Sequence, residues 1–401
     1  MDALKKYILD YFNYKFTSLF GGIKNYEDWR AKNYALKKVE IRNKELALEM
    51  ENDCAKNGGF LTYAEFLQID QFGAWGYHSK HKDHGITDTH SRWGKAIAAL
   101  LKEQGIHHVI EFGPGAGHLA IELLKEARKK GLEIKWSGIE IDQGLQAEIR
   151  RRFEKNGFEK NLQELVLSLK NIKIKEKSLV VFSYSLDSVP PQVFLNTGKQ
   201  KKYPDSILGI KVKNGILEEV VLDNTILGKK GIYFEDGIYS EDNGTKFDMT
   251  SCKLFPYQRA YIPTAAFSTL KAFTDRFLNS FFVIIDEFRG PTFSWSREHL
   301  CLPRDLHKYK RELADLEKAY RLAGENLLYY PTYFLTLYKF IHNLGFRSIK
   351  YEIEQKMAKD LAGDRWVSLK GQFLTYSFLA WDKNNKSKEI IPLEFPQPKL
   401  L

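Results

Sequence analysis

The stretch VIEFGPGAGHLAIELL, residues 109–124, decides the fold class. An apolar run ends at Glu111 and Phe112, three glycines follow within residues 113–117, and apolar residues then recur at helical spacing. Glycine adopts left-handed backbone conformations and lets a ligand approach the main chain closely. The stretch therefore predicts a buried strand, a tight glycine loop and a helix, in that order.

Strand and helix signals alternate on both sides of this unit. Short apolar runs predict strands at 107–112, 134–141, 179–184, 281–286, 346–353 and 372–381. Helical periodicity predicts helices at 90–104, 119–130, 145–156, 264–278, 304–322 and 333–344. Strands without polar alternation are typical of a parallel sheet that is covered on both faces. We therefore predict an α/β fold with a Rossmann-like core.

Two segments depart from this alternation. Residues 193–258 contain short β-prone runs separated by Lys-Asn-Gly, Glu-Asp-Gly and Asp-Asn-Gly turn signals, which predict a β-rich insertion that covers a site. Residues 1–58 mix apolar and charged residues at helical spacing, and Thr62 to Glu65 fits a capping box at a helix start. The predicted organisation has four parts: a helical extension with a substrate-side loop, the first half of the core, the insertion, and the second half of the core (1–104, 105–192, 193–258 and 259–401).

Composition limits the function classes. The 401 residues include three widely separated cysteines, which is typical of a reducing compartment. No apolar run approaches the length of a membrane span, so we expect a cytoplasmic protein without a membrane partner, with a mitochondrial address left open. The net charge of +10 comes from short, interrupted basic stretches, so a nucleic acid partner is an open alternative that is not favoured. The sequence contains no G-x-S-x-G elbow and no Walker loop, which excludes the simplest hydrolases and NTPases.

The residues around the glycines favour one ligand over another. A dinucleotide fingerprint needs a third glycine where this chain has His118. Glu111 would repel a pyrophosphate, whereas it suits the ammonium group of S-adenosylmethionine. Glu140 follows Gly117 by 23 residues, where a doubly wound sheet places a carboxylate that accepts hydrogen bonds from ribose hydroxyls. The pattern favours S-adenosylmethionine over a nucleotide phosphate or a purely structural turn.

On these residues the chain resembles the class I methyltransferases and, within them, the MidA-like family, which includes the mitochondrial complex I assembly arginine methyltransferase. The resemblance covers about residues 60–350. It is carried, in chain order, by Leu61-Thr-Tyr-Ala-Glu-Phe-Leu67, Gly76-Tyr-His-Ser79, Gly113-Pro-Gly-Ala-Gly117, Leu186-Asp-Ser-Val-Pro190 and Val283-Ile-Ile-Asp286.

The resemblance implies a Rossmann-like, seven-stranded core with an inserted substrate-side subdomain and S-adenosyl-L-methionine as cofactor. Glu140 would hold the ribose, and residues 186–190 would form the floor that faces the transferred methyl group. The other implied cofactor-binding residues border the methionine part of the cofactor or lie beside it: Glu111, Gly113, Pro114, Gly115, Gly117 and Ser183.

The chain departs from the family pattern at three places. Ala116 replaces an arginine, Ser183 and Tyr184 replace an Asn-Glu pair, and Ala260 begins a segment that replaces Glu-Val-Ser-Pro. Because carboxylates are the natural partners of a guanidinium, these losses weaken the inference of an arginine acceptor. We expect N- or O-methylation, with a protein side chain as the leading acceptor. A small-molecule methyltransferase and a non-catalytic assembly platform are the alternatives.

Three residues are candidates for catalysis. Asp187 follows a strand end near the expected methyl position and could take a proton from the acceptor, although it could equally serve as a helix cap or turn residue. Tyr184 could orient the acceptor or belong to the core, and Asp286 ends another predicted strand. The histidine cluster His78, His81, His84 and His90 lacks cysteine and helical pairing, so it predicts a loop near the cofactor mouth rather than a metal site.

Overall fold

The computed structural model describes most of the chain between residues 36 and 392. The described residues are 36–69, 87–174, 176–183, 185–186, 189, 191–197, 203–250, 259–286, 320–321, 323, 337, 340–342, 344–363, 376–383 and 391–392. Most of the predicted helix at 304–322, most of the histidine cluster and the first 35 residues lie outside this set. No helix among the described residues is long and apolar enough to cross a membrane.

Helices and strands are numbered separately in chain order. The strands are β1 (Lys38–Glu40), β2 (Leu61–Thr62), β3 (His108–Phe112), β4 (Lys135–Ile139), β5 (Leu162–Val166), β6 (Leu179–Ser183), β7 (Gln192–Leu195), β8 (Ser206–Lys213), β9 (Ile216–Leu222), β10 (Ile232–Glu235), β11 (Ile238–Glu241), β12 (Lys246–Asp248), β13 (Arg259–Ile262), β14 (Phe281–Asp286), β15 (Phe346–Ile353), β16 (Tyr376–Lys383) and β17 (Ile391–Pro392). The helices are α1 (Lys44–Lys56), α2 (Thr87–Gln104), α3 (His118–Lys129), α4 (Gln143–Lys155), α5 (Asn224–Lys229), α6 (Thr264–Arg276) and α7 (Glu354–Ala362).

The main sheet has the strand order β15-β16-β14-β6-β3-β4-β5, seven strands among the described residues. Strands β14, β6, β3, β4 and β5 run parallel to one another. Strand β16 is antiparallel to both of its neighbours. The chain starts in the middle with β3, moves outward to β5, and then returns through β6 to the other side. The order therefore reverses beside β3, where open α/β sheets bind ligands.

Both faces of the parallel strands are buried, which explains why their sequences show no polar alternation. In β3, Val109 belongs to the apolar cluster beneath α2, α3 and α4, whereas Ile110 belongs to the cluster on the opposite face. Val181 and Phe182 of β6 divide between the same two clusters. Each strand therefore contributes to two cores, as a doubly covered parallel sheet requires.

A second sheet has the strand order β1-β9-β8-β7-β13, and β2 also pairs with β8. The predicted turn signals form its hairpins and those of the β10-β11-β12 meander. Asn214 has φ 53 and Gly215 has φ 75 between β8 and β9, and Asp236 has φ 49 and Gly237 has φ 78 between β10 and β11. Two successive residues with positive φ are the mark of the tight hairpin turn that Asn-Gly and Asp-Gly favour.

The amino-terminal extension is not helical throughout. Helix α1 ends at Lys56, close to the predicted end, and the capping box is confirmed, because Thr62 Oγ1 accepts from the Glu65 N–H and Glu65 Oε2 accepts from the Thr62 N–H. However, β1 pairs with β9 and β2 with β8. These two strands are too short to produce a readable alternation in the sequence, and they form because the edge and middle of the second sheet offer them partners.

A buried ion pair joins four segments of the second sheet and its surroundings. Both Arg259 terminal nitrogens donate to the Glu219 carboxylate, at 2.6 Å and 2.8 Å. Tyr320 donates its hydroxyl to the same carboxylate at 2.6 Å, and the Lys37 backbone N–H donates at 2.7 Å. The two charged side chains are 1% and 0% exposed. Strand β13, which Arg259 begins, thereby pairs with β7 and extends the second sheet beyond residue 258.

Candidate cofactor site

The candidate site lies at the carboxyl ends of neighbouring parallel strands. Phe112 at the end of β3 pairs in register with Phe182 on β6 and with Ile139 on β4. The residues that follow each strand therefore emerge side by side at one edge of the sheet. The structure brings the predicted glycine loop, Glu140 and Ser183 together at this edge.

The glycine loop is built from left-handed backbone. Gly113, Gly115 and Gly117 have φ values of 63, 55 and 76. The Gly113 N–H donates to the Ile139 carbonyl at 2.9 Å, and the Gly117 N–H donates to the Pro114 carbonyl at 2.9 Å. Apart from the two neighbouring residues of the chain, no heavy atom of the described residues lies within 4 Å of the place where a Cβ on Gly115 would stand. The middle of the loop thus presents bare main chain toward open space, as a ligand-binding loop needs.

Space is tighter at the other two glycines. A Cβ on Gly113 would stand 3.0 Å from Ser185 Cβ, and one on Gly117 would stand 3.2 Å from Ile149 Cγ1. Gly117 also precedes α3 in a left-handed conformation with no side-chain cap. Glycine is therefore required here for backbone conformation and for packing.

Glu140 follows β4 and ties the glycine loop to the next strand. Its Oε2 accepts from the Gly115 N–H at 3.1 Å, and its Oε1 accepts from the Asp142 N–H at 3.0 Å. Burial raises the pKa of this carboxyl, while these two backbone N–H groups lower it. The side chain of Gln146 donates to the Glu140 carbonyl at 2.7 Å. Both carboxylate oxygens are held by backbone donors, and each keeps a lone pair that could accept a hydroxyl.

Glu111 lies deeper than the sequence suggests. It is 3% exposed and accepts a hydrogen bond from the Trp136 indole Nε1 at 3.1 Å. Burial raises the pKa of Glu111 to about 7, the indole lowers it, and the charge of Glu140 raises it. The carboxyl thus stands near the midpoint of its titration at neutral pH.

Ser183 and Ser185 lie on the β6 side of the loop. Ser183 ends β6 and is half-buried. Ser185 is 7% exposed, and its buried hydroxyl has no hydrogen-bond partner among the described residues. Leu186, in the segment expected to form the floor of the site, is fully buried. The Ser185 hydroxyl, buried next to Gly113, could therefore form a hydrogen bond with a polar group of a ligand.

Two apolar residues at this edge were not among the predicted site residues. Ile141, directly after Glu140, is 55% exposed, and Leu167, directly after β5, is 48% exposed. The Glu140 N–H donates to the Val166 carbonyl, so the two exposed side chains follow a paired position of the sheet. Large exposed apolar side chains beside a polar site can hold the flat base of a nucleoside. Isolated apolar residues next to a strand end carry no sequence signal of their own.

A pair of stacked histidines joins α2 to the start of α3. His90 on α2 stacks on His118 with ring centroids 5.6 Å apart and an interplanar angle of 4°. Burial, followed by the neighbouring His118, lowers the pKa of His90 to about 4, so its ring is neutral at pH 7. Arg152 lies 3.1 Å from His118 Nδ1. His90 is the one member of the predicted histidine cluster that the structure describes, and it packs between helices.

The predicted catalytic residues are only partly placed. Tyr184 and Asp187 lie outside the described residues, and Asp286 is the last residue of β14, in the strand next to β6. Among the described residues, no group of three or more His, Cys, Asp or Glu side chains could hold a metal ion. The geometry therefore supports a cofactor site at the strand ends and leaves the catalytic assignments as predictions.

Comparison with known families agrees with this site. Residues 92–351 match the model of a family described as "Putative S-adenosyl-L-methionine-dependent methyltransferase", which is well over half of the chain. The chain belongs to this family. It is accordingly an S-adenosylmethionine-dependent methyltransferase, and S-adenosyl-L-methionine is its cofactor. No curated protein sequence matches the methyltransferase.

Two solved structures share the fold of this methyltransferase. An uncharacterized protein from Burkholderia thailandensis is 12% identical with a TM-score of 0.53, and the match covers 87% of this chain and 94% of the other. A protein of the same superfamily and organism, bound to S-adenosyl-homocysteine, is 12% identical with a TM-score of 0.51, covering 88% and 94%. At this identity the likeness establishes the class I methyltransferase fold, a parallel sheet with helices on both faces.

The residues of the site fit the cofactor chemically. S-adenosylmethionine has an adenine base, a ribose with two hydroxyls, and an amino-acid end with an ammonium group. The site offers apolar side chains at Ile141 and Leu167, a carboxylate at Glu140, and bare main chain with a buried carboxyl at Glu111. The apolar side chains suit the adenine base, the Glu140 carboxylate suits the ribose hydroxyls, and the main chain with Glu111 suits the amino-acid end.

Proposed function

We propose that the protein is an N- or O-methyltransferase whose acceptor is a protein side chain, with arginine as one candidate. The observation that carries the cofactor half of this proposal is Glu140, a buried carboxylate whose two oxygens are already oriented by backbone N–H groups of the glycine loop and the next helix. A carboxylate oriented in advance binds ribose hydroxyls with little loss of side-chain entropy. The choice of a protein side chain as the methyl acceptor is supported by the resemblance to the MidA-like family.

The cofactor supplies an electrophilic methyl group on a positively charged sulfur. The residues of the chain then have three tasks. Glu140 accepts hydrogen bonds from the ribose, and Glu111 offers a negative charge to the ammonium group. Main chain without Cβ atoms at Gly113, Gly115 and Gly117 lets the methionine part approach closely, with Pro114 in the same loop and Ser183 beside it. Together they align the methyl group for in-line attack, which is the main requirement of the reaction.

A nitrogen or oxygen acceptor must also lose a proton. We propose Asp187 as the group that takes or relays it, with Tyr184 orienting the acceptor and Asp286 lining the site from the next strand. The positions support this, because residues 184–187 follow the end of β6 and Asp286 ends the strand paired with β6. A carboxylate at such a place contributes by general base catalysis.

The proposed organisation places the acceptor between the core and the insertion. In the chain, the insertion (193–258) separates the two halves of the core (105–192 and 259–401). We propose that it covers the side of the site where the methyl acceptor binds, and that the extension (1–104) lies on the outer side of the insertion. Support comes from β8 and β9 of the insertion, which bind β1 and β2 of the extension in one sheet. We place the protein in the cytoplasm.

Calorimetric titration tests the cofactor assignment on this chain. We expect S-adenosylmethionine and S-adenosylhomocysteine to bind the wild type, and Glu140→Ala to lose about 1–3 kcal/mol of binding free energy, because ribose hydroxyls are left without an acceptor. The matched control is Glu133→Ala, an exposed carboxylate before the other end of β4, which should bind like the wild type. Equal affinities of the two variants would show that Glu140 does not hold the ribose.

Transfer of a labelled methyl group tests the acceptor. Wild-type protein and cofactor are incubated with cell extract, and the label is measured separately in the protein and small-molecule fractions. Label in protein, lost in Asp187→Asn, supports the proposal, and amino-acid analysis then identifies the modified residue. Label in small molecules would favour the small-molecule alternative. Tight cofactor binding with no label in either fraction would favour the non-catalytic platform.

A further inference from the structure

A glycine in β4 determines what surrounds Glu111. In the parallel register, Glu111 stands opposite Gly138 on one side and Val181 on the other. Gly138 has no side chain, and the Trp136 ring occupies the space above it: a Cβ there would stand 2.4 Å from Trp136 Cη2. The indole crosses this space and its Nε1 reaches Glu111 Oε2 at 3.1 Å.

The indole is held firmly in this position. Trp136 is fully buried, and its ring packs against Phe153 of α4 with centroids 5.1 Å apart. It belongs to the apolar cluster on this face of the sheet, to which α3 and α4 contribute Leu119, Leu123, Ile149 and Phe153. A buried carboxylate bonded to a fixed donor has few alternative orientations.

The charged surroundings of Glu111 are sparse. Glu140, at the end of β4, is the charged group that acts on it among the described residues. Strand β6 presents Val181 beside it. Of the helices that cover this face, α2 carries His90, which stacks on His118 of α3, and Arg152 of α4 contacts His118. No described cation is paired with Glu111, so a neutral N–H is what stabilises its charge.

We propose that Trp136 is a positioning residue that keeps the Glu111 carboxylate ionised and oriented toward the ammonium group of the cofactor. This inference rests on the proposed function, in which the site binds S-adenosylmethionine through its amino-acid end. Trp136 touches Glu111 and acts through it. The indole N–H favours the charged carboxylate, and burial together with Glu140 opposes it.

The sign of the effect follows from these causes. Burial raises the pKa of Glu111 to about 7 although the indole lowers it, so removing the indole N–H raises the pKa further. One hydrogen bond to a carboxylate is worth about one pKa unit. If the ionised form binds the ammonium group, the ionised fraction at pH 7 falls from about one half to about one tenth, a loss of about fivefold in affinity. At pH 8.5 the same change costs less than about twofold.

The test is binding of S-adenosylhomocysteine to Trp136→Phe between pH 6 and 9. We expect a loss of about fivefold at pH 7 that nearly disappears at pH 8.5, since phenylalanine keeps an aromatic ring at this position and removes the N–H. Methylthioadenosine, which lacks the amino-acid end, should bind both proteins alike at every pH. Glu111→Gln should bind S-adenosylhomocysteine weakly, without the pH dependence.

A control variant and the indole resonance of Trp136 test the contact between Trp136 and Glu111 directly. Trp93→Phe alters another fully buried tryptophan, on α2, and should leave the pH profile unchanged. The indole N–H resonance of Trp136 should titrate near pH 7 in the wild type without ligand and stay constant in Glu111→Gln. A loss in Trp136→Phe of equal size at pH 7 and 8.5, or for both ligands, would overturn the positioning role alone. A wild type that binds neither ligand would overturn the cofactor assignment with it.

Discussion

Removing the Glu219 carboxylate should destabilise the protein strongly. Glu219→Ala leaves the Arg259 guanidinium, 1% exposed, without the carboxylate to which both terminal nitrogens donate. It also removes the acceptor of the Tyr320 hydroxyl and of the Lys37 N–H. Breaking a buried ion pair by deleting one partner costs about 3–5 kcal/mol, because the remaining charge stays buried.

The size of this loss can be expressed as a melting temperature. Unfolding entropy is about 2.1 cal/mol/K per residue, or about 0.8 kcal/mol/K for 401 residues. A loss of about 3–5 kcal/mol therefore lowers Tm by about 4–6 °C in differential scanning calorimetry. The neighbouring Glu218 is the matched control, because it faces Lys38 at 3.8 Å with both side chains exposed. Glu218→Ala should change stability by less than about 1 kcal/mol.

Charge burial and loss of packing are separated by a double variant. Glu219→Leu combined with Arg259→Met removes both charges and retains apolar volume, so it should recover much of the stability that Glu219→Ala loses. Equal melting temperatures for Glu219→Ala and Glu218→Ala would refute the reasoning, since they would mean that the Arg259 charge is not desolvated in solution.

Three further changes test other parts of the structure. Gly94→Ala should cost about 1–3 kcal/mol in chemical denaturation, because its Cβ would stand 2.8 Å from the Glu122 carbonyl carbon where α2 crosses α3. Gly117→Ala should lower stability more than Gly115→Ala, because both positions have positive φ and only the Cβ at 117 would press on Ile149, whereas Gly115→Ala should lower S-adenosylhomocysteine affinity, because its Cβ would enter the open space left for the cofactor. Burial lowers the pKa of His108 to about 4, so the neutral ring stabilises the fold above pH 6.5 and this stability is lost as pH falls toward 4. The Tm of His108→Gln should accordingly fall less steeply over that interval, and parallel curves would contradict the assignment.

The parallel core could be predicted because its signals are local. The glycine loop, the helix after it and Glu140 at the next strand end lie within about thirty residues, and the hairpins at Asn214 and Asp236 follow from dipeptides alone. Strand β5 was not predicted because Gln163 and Glu164 interrupt its apolar residues, and because it is only half-buried on the edge of a sheet already set by β4. Its pairing is a tertiary effect that a single-sequence pattern does not contain.

The long-range polar contacts could not be predicted, because they depend on which strand positions lie next to each other. Glu219 and Arg259 of the second sheet are 40 residues apart, and Trp136 and Glu111 of the main sheet are 25 apart. A sequence shows the residue types but not which strand positions face each other. Ile141 and Leu167 become a candidate base-binding pair once β4 and β5 are known to be neighbours.

Glu111 and Glu140 are the same residue type, but the structure gives their carboxylates different surroundings. Glu140 is buried just after the end of β4, where backbone N–H groups donate to both of its oxygens. Glu111 stands inside the sheet, and its indole partner reaches it because the intervening position, Gly138, has no side chain. Glu140 has both oxygens oriented by backbone N–H groups and keeps lone pairs for ribose hydroxyls, whereas Glu111 changes its affinity for protons when its single donor changes. Cofactor binding should therefore depend on pH through Glu111 and on geometry through Glu140, a difference in protonation and orientation that their positions at successive strand ends do not reveal in the sequence.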